Sequence, residues 1–320
     1  RAQNAFPGKD IHNKGRLPFE AAGIRRVLAP HDLILMTGSP EFEEVWFDQG
    51  GLMPDGAKTI QLCSAASRAA FKFPVSLSLL GDLKTSIDSI LRHLKTTAGK
   101  GYEADSIARN EALAIKHLAN VTASEARLKS QWDYQPMTPA RAIWEISSAI
   151  PEGTIVVDES ITASVEIAAG FDFSSPGDYF GGRGGGIGQG IPGALGVKVA
   201  HMARPVLCTS GDGSAMYSIQ ALWTAAHHDL AIVFVIFSNK EYRVLKHNID
   251  IYRNRFGQSS NKPYPHMDLT HPMLGFSEMA RGMGLAAESV EDANDLAGAI
   301  KRGFDSGKPY LIEVAVSGKQ

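Results

Sequence analysis

The chain has 320 residues, of which 44% are hydrophobic, enough to form the cores of about two globular domains. Its 34 acidic and 32 basic residues leave a formal net charge of -2, which gives no electrostatic reason to expect binding to nucleic acid or to an anionic membrane. The two cysteines, Cys63 and Cys208, lie in apolar segments and are expected to be reduced and buried, which excludes a disulfide framework and a cysteine-ligated zinc site.

No segment of the sequence has the length of a membrane span. The apolar run at residues 231–237 has seven residues, whereas a helix that crosses a bilayer needs about 20. The polar first ten residues also lack the apolar core of a signal peptide. We therefore predict a cytoplasmic protein whose partners are small molecules.

Short apolar segments alternate with amphipathic ones in the first third of the chain. Residues 32–38, 59–63 and 74–80 have the length and composition of strands, and residues 82–94 carry apolar side chains at helical spacing. Such alternation predicts parallel sheets flanked by helices, which is an α/β fold.

A polar segment from about residue 101 to residue 132 is predicted to be helical and contains no strand pattern. Two prolines in residues 135–139 then interrupt the chain. We therefore predict a first domain of residues 1–133, which ends in this helical linker, and a second domain of residues 134–320. In the second domain, apolar runs predict four strands, at residues 153–158, 206–209, 231–237 and 309–315.

One predicted strand–helix–strand segment of the second domain carries two polar residues that could bind a ligand. A strand leads into Gly211-Asp-Gly213, and a single helix is predicted from Ser214 to about His228. The buried stripe of this helix is predicted to be Met216, Ile219, Leu222, Trp223 and Ala226. A helix of about 14 residues rises roughly 21 Å, and a strand of about seven residues returns roughly the same distance. Asp212 and Asn239 are thus predicted at one edge of the sheet, where α/β folds bind ligands.

These positions suit a diphosphate and a magnesium ion. A helix that begins at Gly213 and Ser214 would direct backbone N–H groups toward an anion. The Asp212 carboxylate, the Asn239 amide and the Glu241 carbonyl offer the hard oxygen ligands that Mg²⁺ prefers. Either an Asp-Gly turn or an Asn after a strand is more often structural when it occurs alone. The combined spacing, in which 24 residues separate Gly213 from Ser238-Asn239, favours the functional interpretation.

The segment GDGSAMYSIQALWTAA, residues 211–226, resembles the corresponding segment of thiamine-diphosphate-dependent enzymes of the benzoylformate decarboxylase and acetolactate synthase type. The resemblance extends over essentially the whole chain, which corresponds to the C-terminal portion of these enzymes. It implies their thiamine-diphosphate-binding fold, with thiamine diphosphate and Mg²⁺ as cofactors. It also implies that Asp212 and Asn239 bind Mg²⁺ by their side chains and Glu241 by its carbonyl. The family has Asn-Asn where this chain has Ser238-Asn239, so the ligating second Asn is kept.

A glycine-rich segment, residues 181–196, contains a dinucleotide-type spacing at Gly188, Gly190 and Gly193. This spacing alone is weak evidence for a nicotinamide-binding oxidoreductase. That interpretation is disfavoured because no apolar strand leads into the segment. By the resemblance, this loop runs under the cofactor, and Ile187 is the bulky side chain that holds the cofactor in a bent conformation. A flexible loop that packs closely against a helix is the structural alternative.

Further cofactor contacts are expected from the diphosphate turn, the glycine-rich segment, the end of the first strand of the domain and the turn after Asn239. These residues are Gly211, Gly213, Ser214, Gly186, Ile187, Glu159, Ser160, Tyr242 and Val244. Ser160 could equally cap the helix that follows it. Val244 and Asn248 correspond to positions that shape the substrate pocket in the family.

The activity implied by the resemblance is decarboxylation of a 2-oxo acid. A carboligase of the acetolactate synthase type is the alternative within the family, and a non-catalytic cofactor-binding subunit is the alternative from another class. In the family, a glutamate of a separate N-terminal domain activates the cofactor, and no residue of this chain is predicted to take that role. We expect the chain alone to bind the cofactor weakly without turnover, and to form a homo-oligomer or to pair with a pyrimidine-binding domain.

Overall fold

The computed structural model describes residues 6–15, 17–18, 20–38, 50–70, 73–181, 186–260 and 262–318. The chain divides into two compact units, Lys14–Ile115 and a larger unit of Arg1–Asn13 with Lys116–Gln320. Each unit contains a parallel sheet and helices. The predicted α/β architecture is confirmed, whereas the two predicted domains, residues 1–133 and 134–320, stay a prediction.

The smaller unit is built on a three-stranded parallel sheet. Its elements are α1 (Ala21–Leu28), β1 (Leu33–Thr37), β2 (Lys58–Cys63), β3 (Leu77–Leu80) and α2 (Leu83–Thr97). The strands lie in the order β1-β2-β3. Asp82 caps α2, because its carboxylate accepts a hydrogen bond from Thr85 N at 2.9 Å.

The larger unit follows a long helix, α3 (Lys100–Ser130), inside which the division between the two units falls. Its remaining elements are α4 (Pro139–Ala149), β4 (Ile155–Glu159), α5 (Ser164–Gly170), β5 (Tyr179–Gly181), α6 (Gly190–Ala200), β6 (Val206–Gly211), α7 (Asp212–Ala215), α8 (Ala221–His227), β7 (Val233–Ser238), α9 (Arg243–Arg255), α10 (Phe276–Gly282), β8 (Ala286–Val290), α11 (Ala293–Asp305) and β9 (Tyr310–Ala315). The six strands form one parallel sheet in the order β5-β4-β6-β7-β9-β8.

The central strands of this sheet are buried on both faces. Every residue of β4 and β7 is buried, and so is every residue of β6 except the last. Along β7, Val235 belongs to the apolar cluster on one face of the sheet, and its neighbours Phe234 and Ile236 belong to the cluster on the other. Burial on both faces explains why these strands appear in the sequence as continuous apolar runs.

The single helix predicted from Ser214 to about His228 is wrong. The segment forms two short helices, α7 and α8, joined by a turn that lies against the glycine-rich segment. Two residues of the predicted buried stripe, Met216 and Trp223, are 39% and 56% exposed, whereas Leu222 is fully buried.

Two strands of the larger unit, β5 and β8, were not predicted. Strand β5 has only three residues, and β8 carries the polar residues Glu288 and Ser289. Both lie at the edges of the sheet, where a strand does not need a continuous apolar run.

Two further features of the structure concern the cysteines and the membrane spans. Both Cys63 and Cys208 are free and buried, as predicted. Within the described part of the chain, no helix combines the length and the apolar character that crossing a membrane requires.

Candidate active site

Three polar segments lie at one edge of the six-stranded sheet. They follow β4, β6 and β7, which are neighbours in parallel register, with Glu159 opposite Ser210 and Gly211 opposite Phe237. Because the strands end at the same level, the residues that follow them share one edge. This is the edge at which open α/β sheets bind ligands.

Asp212 directly follows β6 and is only 4% exposed. Its Oδ1 accepts a hydrogen bond from Gly213 N at 2.7 Å, and its Oδ2 accepts one from Lys240 N, also at 2.7 Å. The second bond joins the carboxylate to the turn after β7. Burial raises the pKa of Asp212 to about 6, although hydrogen bonds from the backbone of Gly213, Lys240 and Asn239 oppose the rise, and the charge of Glu241 adds to it.

The turn after β7 brings two further predicted ligands beside Asp212. Asn239 Oδ1 accepts a hydrogen bond from Glu241 N at 3.0 Å, and the Glu241 carbonyl accepts one from Arg243 N at 2.9 Å. Each of these oxygens has a second lone pair with which it could bind a metal ion. Lys240, between them, has a φ of 61°, a left-handed conformation that is uncommon for residues other than glycine.

The chemistry of this donor set suits Mg²⁺. It consists of one carboxylate, one amide oxygen and one backbone carbonyl, and a nearby cation would offset the desolvation that raises the pKa of Asp212. Over the described ranges, no group of three or more His, Cys, Asp or Glu side chains is placed to hold a metal ion. The predicted set is of a different kind, since it contains a single carboxylate.

The predicted diphosphate turn is closely covered by an aromatic ring. A Cβ atom at Gly213 would lie 2.6 Å from Tyr242 Cε1, so a larger residue would displace the ring. Ser214 is 5% exposed in the same short helix, α7. Because α7 has four residues, and because the Gly213 N–H already bonds to Asp212, this helix presents a weaker anion site than a long helix would.

The glycine-rich segment contacts the turn between α7 and α8. Gly188 has a φ of 91°, and a Cβ atom there would lie 2.7 Å from the Cβ of Tyr217. The Gly186 carbonyl accepts a hydrogen bond from Gln189 Nε2 at 3.0 Å, and Ile187 between them is partly buried. Residues 182–185 of the predicted loop lie outside the described residues.

Glu159 holds the start of α6. Its two carboxylate oxygens accept hydrogen bonds from Gln189 N at 2.9 Å and from Gly190 N at 3.0 Å. A carboxylate is favourable at a helix N-terminus, where N–H groups lack partners. The predicted contact of Glu159 with the cofactor stays a prediction.

Asp158 is the centre of a buried network that the sequence did not reveal. Its Oδ1 accepts hydrogen bonds from the hydroxyls of Ser160 at 2.5 Å and Thr209 at 3.0 Å, and its Oδ2 accepts one from the Tyr179 hydroxyl at 2.9 Å. Ser160 is thus a donor to Asp158, while the N-cap of α5 is Ala163. No local pattern could have found this network, because Tyr179 lies on β5, a strand that was not predicted.

Helix α9 carries the predicted pocket residues and an unpredicted bridge. Val244 and Asn248 are partly buried and four residues apart, which places them on one face of the helix. Lys246 Nζ donates to Glu241 Oε2 at 2.5 Å and to Asp268 Oδ1 at 2.6 Å. No local sequence pattern predicts this bridge, because Lys246 and Asp268 are 22 residues apart along the chain.

Comparisons with known proteins identify relatives of the chain. Residues 162–314 match the family model described as thiamine pyrophosphate enzyme, C-terminal TPP binding domain. The chain is 32% identical over 309 residues to benzoylformate decarboxylase of Pseudomonas aeruginosa, in an alignment that covers 97% of the chain and 53% of the relative. It is also 32% identical over 283 residues to a Mycobacterium tuberculosis protein named as an acetolactate synthase large subunit, IlvX, in an alignment that covers 87% of the chain and 53% of the relative.

A similar solved structure is the thiamine diphosphate-dependent 4-hydroxybenzoylformate decarboxylase of Rhodococcus jostii RHA1. The TM-score is 0.79 and the identity 25%, with 99% of this chain and 55% of that chain covered. The chain thus spans about half the length of the relatives it matches.

Proposed function

Because the chain belongs to the thiamine pyrophosphate enzyme family through its C-terminal cofactor-binding domain, we propose that it supplies the diphosphate and Mg²⁺ site of a 2-oxo acid decarboxylase. The observation that carries the proposal is the position of Asp212. It is a buried carboxylate at the end of one central strand, and it is bonded to the backbone of the turn that follows the next strand.

The residues at this edge of the sheet would bind either the metal ion or the diphosphate. Asp212 and Asn239 would bind Mg²⁺ by their side chains and Glu241 by its carbonyl, which supplies three oxygen ligands and leaves positions for phosphate oxygens and water. Gly211, Gly213 and Ser214 would face the diphosphate.

The remaining predicted contacts would orient the organic part of the cofactor. Ile187 and Gly186 would lie under it, and Tyr242 and Val244 would lie beside it. Glu159 and Ser160 would act indirectly, by fixing the start of α6 and the end of β4.

Bound thiamine diphosphate would supply the electron sink that allows the bond between the carbonyl carbon and the carboxylate of a 2-oxo acid to break. The role of this chain would be to bind and orient the cofactor. The group that activates it is assigned to no residue of the chain. Cytoplasmic location, a homo-oligomer and pairing with a pyrimidine-binding domain stay predictions.

The relatives named benzoylformate decarboxylase and 4-hydroxybenzoylformate decarboxylase favour an aromatic 2-oxo acid as the substrate. The M. tuberculosis relative favours the carboligase alternative, in which the group that remains after loss of carbon dioxide is transferred to a second carbonyl compound.

The substrate class can be tested on the enzyme as the cell makes it, supplied with Mg²⁺ and thiamine diphosphate. We expect benzoylformate to give benzaldehyde and carbon dioxide in equal amounts, measured by chromatography and by carbon dioxide release. Formation of acetolactate from pyruvate, with no aldehyde from benzoylformate, would establish the carboligase instead. Cofactor binding without turnover of either acid would favour the non-catalytic subunit.

A further inference from the structure

The turn that carries Asn239 and Glu241 is attached to a distant segment of the chain, residues 267–269. Tyr242 N donates to the Met267 carbonyl at 2.8 Å, and Leu269 N donates to the Lys240 carbonyl at 2.8 Å. Glu241 lies opposite Asp268 in a short antiparallel bridge between these two bonds. The position of the turn therefore depends on residues 267–269.

One side chain spans this junction. Lys246 Nζ contacts a carboxylate oxygen of Glu241 at 2.5 Å and one of Asp268 at 2.6 Å. The Lys246 side chain is 13% exposed and that of Glu241 is 19% exposed, so this part of the bridge is shielded from water. Shielded pairs of this kind are stronger than ion pairs at the open surface.

The Glu241 side chain has little room to adopt another position. A Cβ atom at Gly318 would collide with the Glu241 carboxylate, so the chain near its C-terminus lies directly against that side chain. Glu241 is thus enclosed between Lys246 and Gly318. Its charge is also close enough to Asp212 to contribute to the raised pKa of that residue.

We propose that Lys246 is a positioning residue, which holds the metal-binding turn in its binding geometry by joining Glu241 to Asp268. The inference rests on the proposed function, since Asn239 and Glu241 are the proposed ligands. Lys246 itself lies outside the ligand set, and its role is to keep the Asn239 side chain and the Glu241 carbonyl directed to the same point. Loss of a partner that orients a ligand typically weakens metal binding by about 10- to 100-fold.

Two effects of removing Lys246 have opposite signs, which makes the proposal testable. If Lys246 acted only through its charge, Lys246→Met would remove a positive charge near the site and tighten the binding of a cation. If Lys246 positions the turn, the same substitution weakens binding. The sign of the change therefore separates the two roles.

The test uses Mn²⁺ as the probe in the full chain with excess thiamine diphosphate, and free Mn²⁺ is measured by electron paramagnetic resonance. We expect Lys246→Met to weaken Mn²⁺ binding about tenfold and Lys246→Arg to restore most of it. Arg253→Met is the matched control, because Arg253 lies on the same helix and pairs with Asp250. It should leave Mn²⁺ affinity unchanged. Unchanged or tighter binding in Lys246→Met would overturn the proposal.

Amide hydrogen exchange in the metal-free chain provides an arm that is independent of the cofactor. In Lys246→Met, the amides of Tyr242 and Leu269 should exchange about tenfold faster, since the junction opens more often. The amide of Val316, which bonds to the Ser238 carbonyl, should keep its rate.

The Mn²⁺ binding and the amide exchange measurements test the proposed metal site and the positioning role of Lys246 separately. If wild-type protein binds no Mn²⁺ with thiamine diphosphate, the proposed function fails, while the exchange rates still decide whether Lys246 holds the junction. If Lys246→Met does not fold, Asp268→Asn replaces it, because Asp268 is 62% exposed and only the outer end of the bridge is lost. Equal exchange of Tyr242 and Leu269 in the variant and in wild type would refute the positioning role.

Discussion

Replacing Asp212 with asparagine should make the metal-free protein more stable, relative to wild type, as the pH rises from 5 to 7. The pKa of the carboxyl is about 6 in the folded protein, raised mainly by burial from its usual value of 3.8. The folded state therefore binds the proton more tightly than the unfolded state. As the pH rises from 5 to 7, ionisation of Asp212 therefore favours the unfolded state.

The magnitude follows from the two pKa values. Ionising the buried carboxyl destabilises the folded state by about 3 kcal/mol at pH 7 and by about half of that at pH 5. Asparagine does not ionise, so the pH-dependent part of the difference between variant and wild type is this term alone. The lost hydrogen bond to one backbone N–H costs about 1–3 kcal/mol, but it does so equally at both pH values.

The assay is urea denaturation of wild type and Asp212→Asn at several pH values between 5 and 7, with EDTA present. The free energy of unfolding of the variant should rise by roughly 1.3 kcal/mol relative to wild type across that interval. Asp229→Asn is a control that should show no change with pH in this interval, because its hydrogen bond and ion pair with Lys308 lower the pKa of Asp229, which keeps it ionised in both the folded and the unfolded state. A difference between Asp212→Asn and wild type that did not change with pH would contradict the raised pKa of the buried Asp212 carboxyl.

Two further predictions concern the support of the site. Gly190→Ala should destabilise the protein by about 1–3 kcal/mol, because the added Cβ would lie 2.7 Å from Glu159 Cβ. In the same helix, a Cβ at Gly196 would meet nothing within 4 Å, so Gly196→Ala should stabilise the protein by about 1 kcal/mol. Urea midpoints measure both, and equal midpoints would contradict the close contact. Tyr179→Phe should cost about 1–3 kcal/mol by removing a donor from the buried carboxylate of Asp158, and calorimetric melting that matches wild type would contradict it.

The sequence predicted the polar edge of the sheet because the underlying rule is geometric. Strands β6 and β7 are parallel neighbours that end at one edge, although the crossover between them forms two short helices instead of one, and Asp212 bonds to the Lys240 backbone at that edge. The central strands were equally visible, since burial on both faces requires a continuous apolar run.

What the sequence could not predict depends on contacts between distant residues. The break after α7 exposes Met216 and sets Tyr217 against Gly188, a contact that helical periodicity does not contain. The engagement of Glu159 by α6 has the same origin, because a carboxylate after a strand can face a ligand or the nearest helix N-terminus. Local pattern cannot choose between these outcomes.

The proposed site depends on Asp212 as a ligand of the Mg²⁺ that would hold thiamine diphosphate. The most direct measurement is isothermal titration of thiamine diphosphate into the chain, with Mg²⁺ and then with EDTA, for wild type, Asp212→Ala and Asp229→Ala. We expect binding that requires Mg²⁺ in wild type and in Asp229→Ala, whose substituted residue is an exposed ion-pair partner of Lys308, and no such binding in Asp212→Ala. Equal Mg²⁺-dependent affinity in Asp212→Ala and wild type would contradict it.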